Sequence, residues 1–572
     1  MKKHYLLIFF LCLVTGISRS QNWETFGGSS NRSGLSKITG PQDVTTPYWS
    51  VTSAPTTLGN AVYTFGDRFV TSRVIFSPYT GLVECRNLQN GALIWTSPYI
   101  SSTAILYVIG YNEDGVYAHD YNTDTIYAFN SSDGSIKWRS QVKSQTFGAY
   151  PGCVFACNGD LIVNGTSLNG KFTMRLNKNT GDTLWTNSVL IAIGPAVGLA
   201  ANATTVYRIT GGITVPILLT AIDINTGVTK YSSLPIPGHP DQENPITLGF
   251  DNQVYFWRDG GNLFSYTDNG SALIQDWSYI PQTFTGAALY GDISIGNDNN
   301  LYIFDTGRLR RIDYITGVEL DSSIVPISEG VVSVGADSTV YVNDNNGNFY
   351  ALTYDLQVIK WQLAVPGNTY CNMALAKDGI MVITGSGGQI RAYQSVQNLP
   401  PVADFQSTSR TVITGQPVDF FDQSSFGVTS WDWSFPGSTL LSSQNQNPDS
   451  VIYNLPGIYE VMLYVENNFG SDSVLKTCYI EVTDPTGVAE NSSTGVFKVY
   501  PNPATSYIIV NTISIASGTQ YTITDISGKI SAEGKLTGSN TNVNIENWND
   551  GIYCIRIHSG ENKLLKFIKV ND

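Results

Sequence analysis

The sequence is built on a repeated unit that reads as a strand, a tight polar turn with a glycine, a second strand and a tryptophan. Residues 127–138 (YAFNSSDGSIKW) show it most clearly, because Asp133-Gly134 can adopt the positive φ that a hairpin turn needs. From Trp49 to Trp361, the residues that end these units recur at steps of 46, 43, 47, 46, 46, 43 and 41 residues. A period of about 40–45 residues with several strands in each repeat is typical of a β-propeller, whose four-stranded blades bury their faces against each other.

The last repeat is incomplete, since it ends at Tyr393 without a closing tryptophan. We therefore expect the strand that ends at Trp49 to complete this blade, so that the two ends of the domain close the ring. The prediction is an all-β propeller over residues 21–396 with eight blades, or seven as the alternative.

The repeat units, such as AIDINTGVTKY at 221–231, resemble the PQQ-type repeat of quinoprotein dehydrogenases and of non-enzymatic outer-membrane assembly propellers. The opening residues 23–28 (WETFGG) and 31–34 (NRSG) are also similar to the start of such propellers. In the enzymes, the resemblance implies acidic and amide ligands for calcium, an aspartate base and, in many members, two adjacent cysteines. This chain has no adjacent cysteines. We therefore assign no catalytic, cofactor-binding or metal-binding residue, and expect no cofactor.

The N-terminus has the features of a secretory signal peptide over residues 1–20. Lys2 and Lys3 precede an apolar run, Tyr5 to Val14, and small residues follow it. Only 14% of the residues are charged, and the net charge of −14 becomes −17 once Lys2, Lys3 and Arg19 are removed. This acidity argues against nucleic acid and anionic lipid as partners. No other stretch is long and apolar enough to form a transmembrane segment.

A second domain is predicted over residues 400–484, where about seven short alternating strands suggest an Ig-like sandwich. The run WDWSFPG at 431–437 resembles the W-D-W/F-G-D-G core of the PKD domain family. Ser434 and Pro436 depart from that core, which leaves the fold expectation intact but loosens the turn. The resemblance implies a spacer or binding module on a secreted or surface protein.

After a linker at 485–496, residues 497–572 predict a small all-β sandwich and carry ordered motifs: Y-P-N-P, D-x-x-G-K, G-x-Y and K-F-x-K. They strongly resemble the type A C-terminal sorting domain of type IX secretion cargo. The resemblance implies that the type IX machinery is a partner and that the protein is secreted or held on the outer-membrane surface of a Gram-negative bacterium, via the periplasm. The residues that carry the motifs are Tyr500, Pro501, Asn502, Pro503, Asp525, Gly528, Lys529, Gly551, Tyr553, Lys566 and Lys569.

Three residues are candidates for ligand contact. Residues 234–245 contain four prolines, which prevent regular strand pairing, so this stretch should project as a loop that carries His239 and Asp241. In the second domain, Trp431 could stack on a sugar. For the repeat tryptophans, packing between blades is the preferred interpretation over a sugar-binding surface.

Cys153 and Cys157 form the one closely spaced cysteine pair in the sequence. They are interpreted as two buried thiols on a strand, or as one local disulfide across a turn.

These features favour a secreted or cell-surface binding or adhesion protein, non-catalytic rather than enzymatic, whose ligand is an extracellular glycan or protein. Two enzymatic alternatives remain open. The propeller could be a PQQ-like quinoprotein dehydrogenase, or it could degrade a polysaccharide with a pair of carboxylates in its central funnel.

Overall fold

A computed structural model describes two compact units, Met1–Val482 and Thr483–Asp572. The predicted signal peptide and the linker 485–496 lie outside the described residues. The residues described are 22–25, 27–53, 62–76, 79–120, 122–140, 153–167, 170–188, 198–212, 215–236, 246–257, 262–281, 293–327, 330–344, 346–365, 372–385, 387–395, 399–483, 497–500, 504–512, 518–525, 529–538, 540–558 and 562–570.

Within these ranges, residues 49–393 form eight four-stranded antiparallel sheets, the number that the eight-blade prediction requires. We number the sheets in chain order. Sheet 1 contains β2 (Val62–Phe65), β3 (Arg68–Phe76), β4 (Tyr79–Asn87) and β5 (Leu93–Thr96), and sheet 2 contains β6 (Leu106–Asn112), β7 (Gly115–Asp120), β8 (Thr125–Phe129) and β9 (Ile136–Arg139). Sheet 3 contains β10 (Val154–Phe155), β11 (Leu161–Ser167), β12 (Gly170–Leu176) and β13 (Thr183–Asn187), and sheet 4 contains β14 (Leu199–Ala201), β15 (Thr205–Gly212), β16 (Val215–Asp223) and β17 (Thr229–Ser232). Sheet 5 contains β18 (Ile246–Leu248), β19 (Gln253–Trp257), β20 (Leu263–Asp268) and β21 (Leu273–Tyr279), and sheet 6 contains β22 (Ser294–Ile295), β23 (Leu301–Asp305), β24 (Arg308–Ile312) and β25 (Glu319–Ser322). Sheet 7 contains β26 (Val332–Val334), β27 (Val340–Asn343), β28 (Asn348–Leu352) and β29 (Ile359–Ala364), and sheet 8 contains β30 (Asn372–Leu375), β31 (Met381–Thr384), β32 (Gln389–Tyr393) and β1 (Trp49–Thr52). Two short 3-10 turns lie at Phe250–Asn252 and Lys377–Gly379.

The sheets are arranged as the blades of a propeller. The first strand of a sheet is buried and lies beside the first strand of a neighbouring sheet, as in the pairs β2 with β6, β10 with β14, β14 with β18 and β22 with β26. The ring closes because β2 also contacts β30 of sheet 8. Sheet 8 takes its outermost strand from the other end of the domain, with Trp49 of β1 paired to Ala392 of β32. The predicted closure is therefore confirmed, although the strand begins rather than ends at Trp49.

Tryptophans of the outermost strands dock onto the next sheet, as the packing interpretation predicted. Trp138 places its ring on Gly181, where an added Cβ atom would lie 2.5 Å from the ring, and its Nε1 donates to the carbonyl of Lys178 at 2.9 Å. The same ring-on-glycine contact joins four further pairs: Trp49 and Gly91, Trp95 and Gly134, Trp185 and Gly227, and Trp277 and Gly317. In all five pairs the glycine has a positive φ, so the turn and the docking site require the same residue.

The repeats in which another residue replaces the tryptophan do not make the ring-on-glycine contact. Sheet 4 carries Tyr231 at the tryptophan position, and the corresponding glycine of sheet 5, Gly270, has no atom within 4 Å of an added Cβ. Sheet 6 carries Leu320, and the turn at residues 353–358 of the next sheet lacks a glycine and buries Leu356 instead. The contact is therefore specific to the tryptophan-bearing repeats.

Gly181→Ala is expected to destabilise the propeller by about 2–5 kcal/mol, because it combines backbone strain with a clash against Trp138. Gly270→Ala is the matched control: it adds the same strain at a positive φ, but meets no neighbour. Its cost should be about 1–2 kcal/mol. The two variants are compared by urea unfolding, and equal midpoints would show that the tryptophan contact contributes nothing.

Residues 22–40 run along the innermost strands of seven sheets in order, a course that the sequence did not predict. Most of this segment is buried, and Gly34 approaches sheet 6 so closely that a Cβ would lie 2.3 Å from Ser294 Oγ. The segment thereby pairs with strand edges that would otherwise surround an open axis. The hydrogen bonds to sheets 1 to 7 are Trp23 N to Thr64 O, Tyr111 N to Glu24 O, Phe155 N to Ser30 Oγ, Ala201 N to Ser30 O, Leu248 N to Asn31 O, Ile295 N to Ser33 O and Val334 N to Gly34 O.

The rest of the first unit, residues 399–482, is a β-sandwich with nine described strands where about seven were expected. Its core contains Trp433, which is 1% exposed, with Phe405, Phe420 and Phe435 packed around it. The strands are β33 (Phe405–Ser407), β34 (Thr411–Ile413), β35 (Pro417–Val418), β36 (Phe420–Asp422), β37 (Ser430–Ser434), β38 (Ser442–Ser443), β39 (Val451–Ile452), β40 (Gly457–Asn467) and β41 (Gly470–Thr483), paired as β33-β36, β35-β39 and β34-β41-β40-β37-β38.

The second unit is a smaller sandwich of two sheets, as predicted. One sheet has the order β42-β43-β46 and the other β45-β44-β47-β48, around a core that includes Ile523, Ile555 and Phe567. The strands are β42 (Phe497–Tyr500), β43 (Tyr507–Thr512), β44 (Gln520–Asp525), β45 (Ile530–Lys535), β46 (Asn540–Asn544), β47 (Gly551–His558) and β48 (Asn562–Lys569). Among the described residues of the whole chain, no helix has the length and apolar character needed to cross a membrane.

Candidate functional site

The densest group of charged side chains in the described chain lies where the middle sandwich meets the propeller. The sandwich rests on turns between the first and second strands of several sheets. Phe426 N donates to Asp378 Oδ1 of sheet 8 at 3.1 Å, and Tyr479 donates to Glu113 of sheet 2. We call this group the interdomain charge cluster; its members are Glu24, Glu113, Asp114, Lys178, Asp404, Arg410 and Lys476.

Arg410 of the sandwich is the central cation of the cluster. Its Nη1 donates to Asp114 Oδ2 at 3.0 Å, its Nη2 to the carbonyl of Cys157 at 2.6 Å, and its Nε to the carbonyl of Tyr479 at 3.3 Å. The guanidinium also lies 5.0 Å from the centre of the Tyr479 ring. Burial lowers the pKa of Arg410, but the carboxylates of Asp114 and Glu113 raise it by more, so the net pKa lies above the usual value. Arg410 is therefore a permanent charge that binds both domains.

The carboxylates around Arg410 are each engaged by donors from the opposite domain or sheet. Glu113 Oε1 accepts from Tyr479 OH at 2.6 Å and from Ser407 N at 2.7 Å. Asp114 Oδ1 lies 3.1 Å from the ammonium of Lys178. Charge-assisted bonds of this kind are stronger than neutral ones, and these hold the sandwich in one orientation.

An ion pair within the sandwich shares its carboxylate with the N-terminal segment. Asp404 Oδ1 lies 2.7 Å from Lys476 Nζ, and Asp404 Oδ2 accepts from Asn22 Nδ2 at 2.8 Å. Asn22 in turn accepts from Gly66 N of sheet 1 at 3.0 Å. The segment that follows the inner strands is thus fastened to both domains at its start.

Glu24 is the titratable member of the cluster. Burial raises its pKa from the usual 4.5 to about 7, and the nearby carboxylates of Asp404 and Glu113 add to the effect. Lys476 and Arg410 act in the opposite direction. With Glu24 protonated, the three remaining acids balance the three cations of the cluster.

The stability of the first unit should fall as the pH rises from about 4.5 to above 7. Unfolded Glu24 ionises near its usual pKa, whereas folded Glu24 keeps its proton up to about pH 7, so the proton stabilises the fold below this window and not above it. The expected loss is at most about 3 kcal/mol. Glu24→Gln cannot ionise and should flatten this part of the pH profile, while Glu460→Gln at an exposed position should leave it unchanged. Free energies of unfolding at pH 5 and pH 8 check this, and identical profiles for wild type and Glu24→Gln would contradict it.

The arrangement of the interdomain charge cluster is suited to holding two domains together. The acids Glu113, Asp114 and Asp404 are bound by donors of the protein, and the groups around Glu24 are themselves part of the domain contact. Across the described residues, no three His, Cys, Asp or Glu side chains are placed to hold a metal ion.

A cleft of about 400 Å³ opens at the edge of the same contact. Asp378 and Gln394 line it from the propeller, and Phe426, Asn467 and Phe469 from the sandwich. Phe469 is 54% exposed, so the cleft offers an apolar surface beside amide groups. This combination is typical of a small-ligand contact surface.

Of the predicted ligand contacts, His239 and Asp241 lie outside the described residues. Trp431 lies on β37, partly buried against the sandwich core, and its indole N–H is buried with no hydrogen-bond partner among the described residues. The exposed part of the ring is therefore what a sugar could meet. All three remain predictions.

The described sorting residues divide into a structural and an exposed group. Tyr553 is buried with its ring 4.9 Å from Trp548 and 5.7 Å from Phe567, and Lys569 is 1% exposed. Asp525 Oδ1 accepts from Lys529 N at 3.1 Å, and the Lys529 side chain is exposed.

The remaining sorting residues complete this picture. Tyr500 is 41% exposed, Gly551 is exposed, and Lys566 is partly buried. Ala504, which follows the first motif, forms a parallel bridge with Lys569 of the last motif. Pro501, Asn502, Pro503 and Gly528 lie outside the described residues.

Three family matches follow the domain divisions of the structure. Residues 80–320 match the family described as outer membrane protein assembly factor BamB, of the PQQ repeat type. Residues 404–479 match the PKD domain, and residues 498–571 match the secretion system C-terminal sorting domain. The chain carries a PQQ-type propeller, a PKD domain and a sorting domain. The sorting domain indicates export to the outside of the cell or to its surface by the type IX machinery.

Solved structures resemble the PQQ-type propeller at low sequence identity. BamB from Moraxella catarrhalis has 14% identity and a TM-score of 0.46, over 61% of this chain and 99% of its own. Quinohemoprotein alcohol dehydrogenase from Comamonas testosteroni has 11% identity and a TM-score of 0.46, over 66% of this chain and 82% of its own. The computationally designed Ika8 protein has 12% identity and a TM-score of 0.43, over 61% of this chain and 99% of its own. Among curated proteins, none matches the chain.

Sequence reasoning missed the interdomain charge cluster and the cleft. Glu113 and Asp114 lie in the turn between β6 and β7, and Arg410 and Lys476 carry no motif. The scarcity of charged residues was an available signal. Because only 14% of the residues are charged, an Arg or Lys inside the predicted sandwich domain points to an acidic side chain that pairs with it.

Proposed function

We propose that this protein works outside the cell as a non-catalytic binding or adhesion protein. The propeller is the scaffold that presents loops, the PKD domain is a spacer and additional binding module, and the ligand is an extracellular glycan or protein. The export route in this proposal runs through the periplasm of a Gram-negative bacterium, where the sorting domain engages the type IX machinery.

The observation that carries the proposal is the course of residues 22–40. This segment bonds to the innermost strands of sheets 1 to 7, so the centre of the ring at that level is filled by the chain itself. The PKD domain covers first turns of sheets 8, 2 and 3 on one face. Both observations support the proposal, because either enzymatic alternative would use an open central funnel.

The path of the N-terminal segment argues against a quinone and its calcium ion near the axis. A quinone of that class would need a vacant plane near the axis, with acidic and amide ligands beside it. Instead, Ser33 and Gly34 of the N-terminal segment bond to Ile295 and Val334 of the inner strands. The acids nearest to the segment's start are bound within the domain contact.

Candidate contact surfaces lie on both domains. On the propeller we propose the proline-rich loop with His239 and Asp241. On the PKD domain we propose the exposed edge of Trp431 and the cleft at Phe469. Binding through exposed aromatic and polar side chains on a rigid scaffold is a common arrangement in secreted recognition proteins.

The test is a glycan-array and extracellular-matrix screen of the mature exported protein, followed by titration of any hit. A saturable ligand is expected, whose affinity falls at least tenfold on Phe469→Ala or on deletion of residues 237–245. Leu455→Ala is the matched control, because Leu455 is 69% exposed elsewhere on the PKD domain. Turnover of a glycan, or tight binding of PQQ with calcium in a calorimetric titration, would overturn the non-catalytic proposal.

A further inference from the structure

Two cysteines from different domains meet at the contact between the propeller and the PKD domain. Cys157 follows β10 of sheet 3, and Cys478 lies on β41 of the PKD domain. Their thiols are close enough to interact electrostatically, and both side chains are partly buried. Arg410 holds the two backbones together, because it donates to the carbonyl of Cys157 at 2.6 Å and to that of Tyr479, the neighbour of Cys478, at 3.3 Å.

The backbone at Cys478 is bent towards this contact. In the pairing of β40 with β41, Ile480 faces Tyr459 and Lys476 faces Val461, so residues 477–479 stand opposite a single residue. Cys478 adopts a φ of +52° at this bulge, a conformation that is unfavourable for a residue with a side chain. Bulges redirect side chains, and here the redirected side chain is the one that meets the thiol of the other domain.

Cys153, the sequence neighbour of Cys157, is directed elsewhere. It is fully buried between sheets 2 and 3, where its Sγ hydrogen-bonds to the carbonyl of Ile109 at 2.6 Å. The local Cys153–Cys157 disulfide that the spacing suggested is therefore not the pairing that the geometry favours. The partner of Cys157 lies 321 residues further along the chain.

We propose that Cys157 and Cys478 form a disulfide that joins the propeller covalently to the PKD domain after export. The sorting domain marks this chain for export, and compartments outside the cytoplasm permit stable disulfides. The two domains are connected by one chain segment near residue 399, and the disulfide would add a second connection on the far side of the contact.

The reaction is a thiol–disulfide exchange with an oxidant of the disulfide class. One cysteine thiolate attacks a sulfur of the oxidant, forms a mixed disulfide and releases one thiolate of the oxidant. The second cysteine thiolate then attacks the protein sulfur of the mixed disulfide and releases the other. The protein loses two protons and two electrons, and the oxidant's disulfide is reduced to two thiols.

The surroundings affect when this exchange can occur. Burial raises the pKa of the Cys157 thiol to about 12, so little thiolate exists once the domains have docked. The oxidant is therefore expected to act while the PKD domain is docking. After closure, the same burial shields the disulfide from reductants.

The experiment traps free thiols with N-ethylmaleimide in denatured, unreduced full-length protein recovered after export, and maps tryptic peptides by mass spectrometry. The expected product links Ser144–Lys171 to Thr477–Lys498, with fragmentation assigning the bond to Cys157 and Cys478. The link should persist in Cys153→Ser and vanish in Cys157→Ser and in Cys478→Ser. Alkylation of both cysteines in the exported wild type, or a bond between Cys153 and Cys157, would overturn the proposal.

A stability measurement provides a readout that does not depend on the folding of single variants. A reductant should lower the thermal unfolding midpoint of the exported wild type by several degrees, because it releases a constraint on a loop of more than 300 residues. The double variant with Cys157→Ser and Cys478→Ser should show no shift. A wild type whose midpoint ignores the reductant would also contradict the disulfide.

Discussion

A chain that ends at Val482 is expected to remain in the periplasm, whereas the full-length protein is exported. Val482 closes the first compact unit, so the truncated chain keeps the whole propeller and PKD domain and loses only the sorting domain with its linker. Loss of export can therefore be separated from loss of folding. Cell fractionation with immunoblotting measures the location, and an unchanged thermal midpoint of the first unit verifies its fold. Export of the truncated protein would contradict the sorting assignment.

Point variants refine this test within the sorting domain. Lys529→Ala changes an exposed side chain of the D-x-x-G-K motif and should reduce export without changing stability. Lys535→Ala, at an exposed position outside the motifs, is the matched control and should be exported normally. Tyr553→Ala is less informative, because Tyr553 packs on Trp548 and Phe567 and its loss would unfold the domain.

Arg410→Met should weaken the attachment of the PKD domain to the propeller by about 3–5 kcal/mol. The substitution removes one of the two cations beside the Asp114 carboxylate, the other being Lys178, and leaves the carbonyls of Cys157 and Tyr479 without this donor. Removing one member of a buried charge network costs more than the ion pair itself contributes. Calorimetry should then resolve an early transition for the PKD domain that is merged with the propeller transition in the wild type.

The control for this variant is Arg139→Met, which removes an exposed arginine from β9. Its stability should change by no more than about 0.5 kcal/mol. A double-mutant cycle of Arg410→Met with Asp114→Asn should give a coupling of about 0.5–3 kcal/mol, as expected for residues in direct contact. Strict additivity of the two substitutions would show that the ion pair does not join the domains.

The sequence predicted those features that repeat or that lie close together along the chain. The tryptophan spacing led to the propeller and to the pairing of Trp49 with the last sheet, because each repeat carries the same hairpin and docking residue. The sorting motifs identified the last domain for the same reason. The course of residues 22–40 could not be read, since its polar and glycine residues have no periodicity and their partners are spread over seven sheets.

The interdomain charge cluster could not be predicted from the sequence, for a related reason. Asn22 and Asp404 are 382 residues apart, and Glu113 and Tyr479 are 366 apart, so no local pattern records their contact. For the cysteines, the spacing gave no indication of the contact between Cys157 and Cys478. Cys153 and Cys157 are close in sequence, but they are directed to different parts of the structure, and the bulge that presents Cys478 has no sequence signature.

The path of the N-terminal segment also has a consequence for the order of assembly. Residues 22–40 are synthesised before any of the strands they bond to, and the ring cannot close until β32 is available for β1. Contacts so distant in sequence form slowly, and Asp404 must be present before Asn22 is fully paired. The chain after that point comprises most of the PKD domain, the linker and the sorting domain. A protein interrupted before β32 therefore lacks both a closed ring and the sorting domain, and one interrupted later still lacks the sorting domain. The order of the domains thus keeps incomplete molecules from reaching the cell surface.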